Sequence, residues 1–365
     1  MPKPYSPSRT LSLHWPAQMP EGLPSKGLSS FASGRQAIYA LVQHLGAGKE
    51  VGRVLLPAWV AEGVYLPFVR AEWQIVFYEL DHQANPDWQR LEQLLAEHQF
   101  DLVILIHYFG QQRDVEKLIE LIAGQCPILE DWAHSYPCAV WPPPVTGNWA
   151  LFSPTKLVGT TDGAWLVGPE KLADYYQEQG LAKKRIAYVC WQLLYLLGST
   201  FVRLKLPIRA IWNRLSGGSY ARSYQLQVEL TDKPSPISAI GTWLIKHTAH
   251  KAIETNRTAQ AARYSKHLRN PHIHLLGSDK DNEQLPWVGF PLRVDEPQKF
   301  AAYLAQHNIR GQRFTEKWWF YSDTSHYPIA RKLWEQHFLL PIHQDFSLED
   351  IDYIIKVVNA YQEEV

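Results

Sequence analysis

The sequence predicts an α/β protein in which helices flank a mixed, mostly parallel sheet, with a small α/β domain at the C-terminal end. From about residue 30 to residue 170, short apolar runs rich in β-branched residues alternate with helical periods, as in βαβ units. The run DLVILIHYF is apolar almost throughout, which is typical of a strand buried on both faces. The chain has 365 residues, 46% of them apolar, which suffices for one large core and a smaller one.

Local patterns predict the elements of the large domain. The predicted strands are RVLLP, QIVFYELD, DLVILIHYF, CPILED, WALFS and AWLVG. Two helices between them carry apolar residues at i, i+3, i+4 and i+7, namely Ile38, Leu41, Val42 and Leu45 in the first and Val115, Leu118, Ile119 and Ile122 in the second.

Residues 183–230 break this alternation, because a long apolar stretch with basic flanks and a proline takes its place. The run IAYVCWQLLYLLGSTFV is slightly short for a membrane-spanning helix. We expect helices packed within the fold or in a dimer interface. The alternative is contact of residues 183–215 with a membrane surface through their basic side chains.

The remaining chain predicts a long helix over residues 238–268, then the strand WVGFPLRV, the helix EPQKFAAYLAQHN and an aromatic loop, FTEKWWFYSDTSHY. Ser347 and Asp350 form a capping-box pattern at the start of the closing helix. We therefore predict an N-terminal arm (1–29), a large domain (30–245) and a small domain (246–365).

Composition narrows the class of function. Lys plus Arg and Asp plus Glu each number 36, so no global positive charge would attract nucleic acid. Cys126, Cys138 and Cys190 show no CxxC spacing and are odd in number, which disfavours a disulfide framework and fits a reducing cytoplasm. The proline-rich, polar N-terminus lacks the apolar core of a signal peptide. We expect a cytoplasmic protein that acts on small molecules and has no metal site.

Polar residues with chemical potential follow the predicted strands. Asp131 ends the run CPIL, so it should emerge at the carboxyl edge of the sheet, where ligands bind in such folds, with His134 three residues further on. Lys156 follows WALFS in the small, polar segment FSPTKLVGTTDG, close to Ser153. Taken singly, these are more often a strand-end acid, an ordinary polar histidine and a solvated loop lysine.

Two further features lie upstream. The first helix opens at Ser33, where the unpaired N–H groups of Gly34, Arg35 and Gln36 would bind a phosphate, although a simple helix cap is the ordinary interpretation. Trp59 follows the next strand and could stack on a flat ring. Together these groups match the needs of pyridoxal 5′-phosphate (PLP): a Schiff-base lysine, a carboxylate at the pyridine nitrogen, a flat residue on the ring and donors to the phosphate.

The order of these segments resembles the DegT/StrS family of sugar aminotransferases, which are fold type I PLP enzymes. SGRQAIYALVQHLG is similar to the family's SGTAALHLAL, ILEDWAH to EDAAQ or EDAAH, FSPTKLVGTTDGAWLV to FSFHPTKNLTTGEGGAVV, and LLPIHQDFSLEDIDYIIKVV to LPLHPGLTEEDIDYVVDAL. The resemblance implies Lys156 at the Schiff base, Asp131 at the pyridine nitrogen, His134 at the phenolic oxygen and Ser153 near the phosphate.

The resemblance also implies a homodimer that moves an amino group, by family habit from glutamate, to a keto-sugar. That sugar would be nucleotide-linked, in polysaccharide or surface glycan biosynthesis. Three departures stand out. The segment before Lys156 is two residues shorter than FSFHPTK, and Arg35 and Gln36 replace Thr and Ala. YQLQVELTDKPSPISAIGTWL has no match for the asparagine that the family's GYNYRLSELQAA supplies to the neighbouring subunit.

Two alternatives stay open. One is a PLP-dependent sugar dehydratase, although such family members usually have a histidine at the position of Lys156. The other is a PLP-fold protein that has lost its chemistry and serves as a binding or membrane-associated scaffold, which the missing asparagine and the apolar, basic segment would suit.

Overall fold

The computed structural model describes residues 9–362 except 12, 138–147, 173–181, 204–208, 278–285, 316–317 and 320–323. The strands are β1 (Leu28–Phe31), β2 (Arg53–Pro57), β3 (Val60–Ala61), β4 (Gln74–Tyr78), β5 (Leu102–Ile106), β6 (Ile128–Asp131), β7 (Trp149–Phe152), β8 (Ala164–Val167), β9 (Ile273–Leu275), β10 (Gly289–Val294), β11 (Trp318–Trp319) and β12 (His337–Pro341). The helices are α1 (Gly34–Gly46), α2 (Glu62–Arg70), α3 (Trp88–Glu97), α4 (Val115–Ile122), α5 (Ala182–Arg203), α6 (Arg209–Glu229), α7 (Ala239–Lys246), α8 (His250–His267), α9 (Pro297–Gln306), α10 (Pro328–Gln336) and α11 (Leu348–Asn359).

A seven-stranded sheet in the order β1-β8-β7-β6-β5-β2-β4 forms the centre of the protein. Strands β7, β6, β5, β2 and β4 run parallel to one another, whereas β8 is antiparallel to both β1 and β7. All five residues of β5 are buried, as its uninterrupted apolar sequence predicts. The predicted α/β fold with a mixed, mostly parallel sheet is confirmed.

The register of the parallel strands determines where the site lies. Asp131 pairs with Ile106 of β5 on one side and with Leu151 of β7 on the other. The chain leaves β7 one residue after Leu151 and enters the turn that carries Lys156. Asp131 and Lys156 therefore meet at the same carboxyl edge of the sheet.

A second, antiparallel sheet, β12-β10-β9, lies in the C-terminal part of the chain. Its apolar side chains, such as Phe290 and Leu340, share one core with Phe152 and Trp165 of the central sheet. Helix α11 contributes to the same core, and Ser347 and Asp350 form the predicted capping box at its start. The predicted boundary at residue 245 falls in the last turn of α7 and stays a prediction.

The predicted long helix over residues 238–268 is wrong, because the structure has two helices, α7 and α8, with a break at residues 247–249. The N-terminal arm explains the break. The backbone N–H groups of His14 and Gln18 donate to the carbonyl oxygens of His247 (2.6 Å) and Lys246 (2.8 Å). These carbonyl groups at the end of α7 are therefore bound by the arm, so a continuing helix would compete with it.

The unusual segment of residues 183–230 forms helices α5 and α6, which pack along each other. An ion pair of 2.8 Å between Lys184 and Glu229 joins the start of α5 to the end of α6, so the two helices are antiparallel. We call them the α5–α6 hairpin. In the part of the chain that the structure describes, no helix is long and apolar enough to cross a membrane.

Candidate active site

A cavity of about 530 Å³ opens at the carboxyl edge of the central sheet. This volume is in the range of small-molecule sites. The sheet edge contributes Asp131, Ala133, Leu151, Ser153, Thr155 and Lys156 to its lining. The start of α1, the hairpin and the segment of residues 312–315 form the other walls.

Lys156 ends a short 3-10 turn, Pro154–Lys156, that directly follows β7. Its side chain is accessible through the cavity, while the surrounding wall displaces much of the bulk water. This burial lowers the pKa of the Lys156 amine, Arg35 lowers it further, and Asp131 acts in the opposite direction. A larger share of Lys156 is therefore the free amine near neutral pH than for an ordinary lysine, and the free amine is the nucleophilic form.

Asp131 is the last residue of β6 and is 6% exposed. One carboxylate oxygen accepts a hydrogen bond of 2.9 Å from the N–H of Ala133. Burial raises the pKa of Asp131, and the positive charge of Lys156 and the Ala133 N–H offset part of this effect. A buried carboxylate is stabilised by a cationic partner, so Asp131 suits a ligand with a protonated nitrogen.

A hydrogen-bonded network lies behind Asp131. His107 Nδ1 accepts from the N–H of Arg113 (2.9 Å), so in the neutral ring Nε2 carries the proton and donates to Glu130 (3.1 Å). Trp132 also donates to Glu130 (3.1 Å), and its ring stacks on His107 at 3.5 Å. These contacts fix the positions of Glu130 and Trp132, the two residues next to Asp131 in the sequence. No role was predicted for His107, which lies in the predicted strand DLVILIHYF.

His134 is buried beside the cavity, where its ring stacks on Phe314 at 5.1 Å. Nδ1 accepts a hydrogen bond of 3.2 Å from the N–H of Phe109. Burial, followed by the charge of Lys156, holds the pKa of His134 well below its usual value. The neutral ring therefore carries its proton on Nε2 and can act as a donor there. Contact of His134 with a phenolic oxygen stays a prediction.

The start of α1 lies in the cavity wall only in part. Gly34 and Arg35 line the cavity, and Ser33 caps the helix by accepting from the Gln36 N–H at 3.4 Å. The Gln36 side chain is turned elsewhere, since it donates to Leu230 O (3.0 Å) and accepts from Ser235 (3.2 Å). The Gln36 side chain therefore ties α1 to the chain that follows α6, and binding of a phosphate at the backbone N–H of Gln36 stays a prediction.

Trp59 is also placed away from the cavity. Its ring is fully buried and stacks on Tyr108 at 5.0 Å. The described residues that line the cavity include Ala61, two positions later, and not Trp59. The predicted stacking of Trp59 on a cofactor ring is inconsistent with this position, because the ring is buried against Tyr108 and does not line the cavity.

The segment after Lys156 is packed, not open. Thr160, Thr161 and Asp162 are fully buried, and Asp162 accepts from both the N–H (2.8 Å) and the hydroxyl (2.6 Å) of Ser238. A side chain at Gly159 would collide with the carbonyl group of Thr10 in the N-terminal arm. The small, polar segment FSPTKLVGTTDG is therefore packed beyond Lys156, and none of residues 157–163 lines the cavity. Ser153 does line the cavity, with its hydroxyl 3.0 Å from that of Thr155.

The residues that form the wall opposite the sheet edge were not predicted from the sequence. The hairpin supplies Tyr188, Gln192, Tyr195, Ser223, Tyr224 and Gln227, all of which can form hydrogen bonds. Arg9 of the arm donates to Gln192 (3.2 Å), and Arg313 enters from the C-terminal side. Among the described lining residues, Arg9, Arg35, Lys156 and Arg313 face a single acid, Asp131. The cavity therefore suits an anionic ligand.

Comparison with known proteins finds a family match in the C-terminal part of the chain. The model of the DegT/DnrJ/EryC1/StrS aminotransferase family matches residues 238–359. The match confirms the resemblance drawn from the sequence, and it begins at Ser238, whose contacts with Asp162 connect the family segment to the turn after Lys156.

A curated relative supports the family. The chain is 30% identical over 111 residues to the dTDP-3-amino-3,6-dideoxy-alpha-D-galactopyranose transaminase of Aneurinibacillus thermoaerophilus. The aligned stretch spans 28% of this chain and 29% of that relative's length.

Several solved structures share the fold of this chain. The PLP form of the sugar aminotransferase Spr1654 from Streptococcus pneumoniae aligns with a TM-score of 0.64 and 16% identity, over 91% of this chain and 86% of that one. AtS13 from Actinomadura melliaura aligns with a TM-score of 0.63 and 16% identity, over 92% of this chain and 87% of AtS13. The sugar aminotransferase CalS13 from Micromonospora echinospora aligns with a TM-score of 0.61 and 16% identity, over 91% of this chain and 87% of CalS13. The predicted fold type I architecture is confirmed.

Proposed function

We propose that this chain is a PLP-dependent aminotransferase in which Lys156 forms the Schiff base with the cofactor. The proposed reaction moves an amino group from an amino acid, by family habit glutamate, to the keto group of a nucleotide-linked sugar in polysaccharide or surface glycan biosynthesis. The observation that carries the proposal is that Lys156, with its lowered pKa, and the buried carboxylate of Asp131 line one cavity.

The donor set of the cavity fits PLP. A protonated ring nitrogen supplies the cationic partner that the buried carboxylate of Asp131 favours. Gly34 at the positive end of α1 and the hydroxyl of Ser153 are suited to the phosphate. His134 offers a neutral Nε2–H donor for the phenolic oxygen. Bound PLP supplies the electron sink for the reaction.

The residues of the chain supply proton transfer and electrostatics. Lys156 takes the proton from the carbon next to the substrate nitrogen and returns it at the other reacting carbon, which requires an amine that is free near neutral pH. Burial and Arg35 provide that low pKa. Asp131 keeps its negative charge at the ring nitrogen, so that the electron density released by proton removal is stabilised.

The hairpin wall supports a sugar acceptor. Tyr188, Gln192 and Gln227 present hydroxyl and amide groups that can bind sugar hydroxyls. Arg9 and Arg313 would bind the anionic group of a nucleotide-linked sugar. The transaminase from Aneurinibacillus thermoaerophilus, whose name gives a dTDP-linked amino sugar, supports this substrate class.

We further propose, from the resemblance alone, a homodimer that acts in the cytoplasm. Sedimentation of the purified chain tests the first point, and a monomer with full activity would refute it. Contact of residues 183–215 with a membrane surface also stays a proposal, tested by co-sedimentation with anionic lipid vesicles.

Reconstitution tests the central proposal. The purified chain, mixed with PLP and treated with borohydride, should yield a peptide in which Lys156 carries the reduced cofactor. Addition of an amino acid to the untreated holoenzyme should convert PLP to pyridoxamine phosphate, and a panel of amino acids identifies the donor. Absence of PLP binding at saturating cofactor would favour the scaffold, and binding without half-transamination would overturn the aminotransferase assignment.

A further inference from the structure

We propose that the guanidinium group of Arg35 binds the phosphate of the cofactor, and that Tyr224 of the same chain positions it. This inference rests on the proposed function, because it requires that PLP occupies the cavity. It assigns a binding role to the side chain of a residue that replaces a small neutral one in the family pattern.

Arg35 is built into the cavity wall. It lies in the first turn of α1, lines the cavity and is 6% exposed. Its Nη2 donates to the Tyr224 hydroxyl at 2.9 Å, and the guanidinium lies over the Tyr224 ring, 4.8 Å from the centroid. A guanidinium presents donors in a rigid, planar fork, so these two contacts fix its orientation.

The same side chain keeps an unused donor. Among the described residues, no acceptor lies within hydrogen-bonding distance of the buried Nη1 of Arg35. Glu62 forms an ion pair with Nη2 at 3.6 Å and accepts from the Tyr224 hydroxyl. A buried cationic donor without an acceptor costs free energy. Because the guanidinium charge is delocalised, an anion bound where Arg35 lines the cavity would offset part of this cost.

The surroundings of Arg35 specify a phosphate. The adjacent residue, Gly34, exposes the start of a 13-residue helix to the cavity, where backbone N–H groups and the helix dipole favour an anion. Ser153 and Thr155 add hydroxyl groups from the sheet edge. The charge of Arg35 also acts on Lys156, so both side chains serve one ligand site.

Tyr224, which positions Arg35, belongs to the same chain as Arg35. It belongs to α6, in the segment that replaces the family stretch with the asparagine for the neighbouring subunit. At the proposed phosphate site, this chain thus uses a contact from its own hairpin. In the family pattern, the neighbouring subunit supplies an asparagine there. Tyr224 is a positioning residue, since it acts through Arg35.

Binding of two cofactor forms tests the proposal. Pyridoxal has the ring and aldehyde of PLP but no phosphate, so a residue that contacts only the phosphate affects PLP alone. Arg35→Gln should weaken PLP binding to the apo chain by about 10- to 100-fold, the loss of a charge-assisted hydrogen bond, and leave pyridoxal binding within about threefold. Arg35→Lys should give an intermediate loss, and Tyr224→Phe a loss of about three- to tenfold for PLP only.

Controls separate this contact from a general field and from misfolding. Arg222→Gln removes a positive charge of the hairpin outside the described cavity lining and should change PLP affinity by less than about threefold. Thermal unfolding of each apo variant reports on folding, and Arg35→Lys provides the test if Arg35→Gln does not fold.

Several outcomes would overturn the inference. One is an equal loss of PLP and pyridoxal affinity in Arg35→Gln, and another is unchanged PLP affinity. Unchanged PLP affinity with a raised KM for the amino donor or the acceptor would assign Arg35 to a substrate anion instead. Failure of the wild-type chain to bind PLP would refute the proposed function itself and is distinguishable from all of these.

Discussion

His337 Nε2 accepts a hydrogen bond of 2.7 Å from the backbone N–H of Phe314. The other ring nitrogen, Nδ1, donates to the carbonyl oxygen of Trp334 at 2.8 Å. The neutral ring therefore satisfies both contacts, and protonation of Nε2 would break the one with Phe314. Phe314 lines the cavity and stacks on His134, so a buried histidine of the C-terminal sheet holds one side of the active site in place.

This contact predicts acid sensitivity. Burial lowers the pKa of His337 to about 4, against 6.5 for the exposed ring. Between these values the unfolded chain binds the proton first, so the free energy of unfolding falls as pH decreases from 6.5 to 4, and His337 contributes about 3 kcal/mol of that fall. Urea unfolding at several pH values measures it.

The matched variant is His337→Gln, since the pKa values of buried His107 and His134 are also lowered and contribute to the wild-type curve. The stability difference between wild type and His337→Gln should shrink by about 3 kcal/mol from pH 7 to pH 4. A constant difference across this range would contradict the assignment.

The reactivity of Lys156 should depend on its two charged neighbours. Asp131 raises the pKa of Lys156 and Arg35 lowers it. In the apo chain, the midpoint of Lys156 acylation against pH should lie below that of an ordinary lysine, shift lower in Asp131→Asn and shift higher in Arg35→Gln. Peptide mass spectrometry after brief labelling measures the midpoint, and shifts of the opposite sign would exclude this charge arrangement.

Replacement of Asp131 should also affect turnover. Asp131→Asn keeps the shape of the side chain and removes the charge at the ring nitrogen, so we expect kcat to fall by about 100-fold or more with PLP still attached to Lys156. Lys156→Ala should abolish both turnover and covalent attachment. Absorbance spectra and single-turnover rates distinguish the two variants. An Asp131→Asn enzyme with normal kcat would show that another group pairs with the ring nitrogen.

Gly110 is expected to be intolerant of a side chain. Its φ is +97°, and an added Cβ would lie 2.6 Å from the carbonyl oxygen of His134. Gly110→Ala should therefore destabilise the protein by roughly 3 kcal/mol or more. Gly124→Ala is the matched control, because its φ is +77° and nothing lies within 4 Å of the added Cβ. The free energy of unfolding of Gly124→Ala should fall by about 1 kcal/mol. Equal losses of stability in the two variants would show that the close contact at Gly110 has no effect.

The hairpin wall should act on the acceptor and not on the amino donor. Gln192 lines the cavity and holds Arg9 at 3.2 Å. Gln192→Ala should raise the KM for the sugar acceptor by about five- to tenfold and leave the half-reaction with the amino donor unchanged. Gln225→Ala, on the exposed side of the same hairpin, is the control and should alter neither. Equal effects on both half-reactions would show that the wall serves both substrates.

The sequence predicts site residues correctly where their position depends on the strand that directly precedes them. Asp131 and Lys156 follow buried strands, and parallel pairing alone brings the ends of such strands together. Trp59 was misplaced for the opposite reason, because its ring stacks on Tyr108 of another loop. The side chain of Gln36 likewise contacts a distant residue, Leu230, 194 residues away. No periodicity in the sequence encodes such distant partners.

The hairpin wall was missed for a related reason. A long apolar stretch with basic flanks predicts helices without specifying what they cover. Tyr188 and Gln192 are one turn apart on α5 and therefore share a face, but only the packing of α5 on α6 turns that face toward the cavity. The polar residues of the stretch were the available signal, because they recur on one side of an otherwise apolar helix.

The α5–α6 hairpin separates two tasks that the cavity combines. Lys156 and Asp131 lie on the edge of a seven-stranded sheet, whereas the polar residues of the hairpin wall come from one contiguous segment between β8 and α7. Substitutions confined to the hairpin would therefore alter the acceptor side of the cavity while the sheet keeps Lys156 and Asp131 in place.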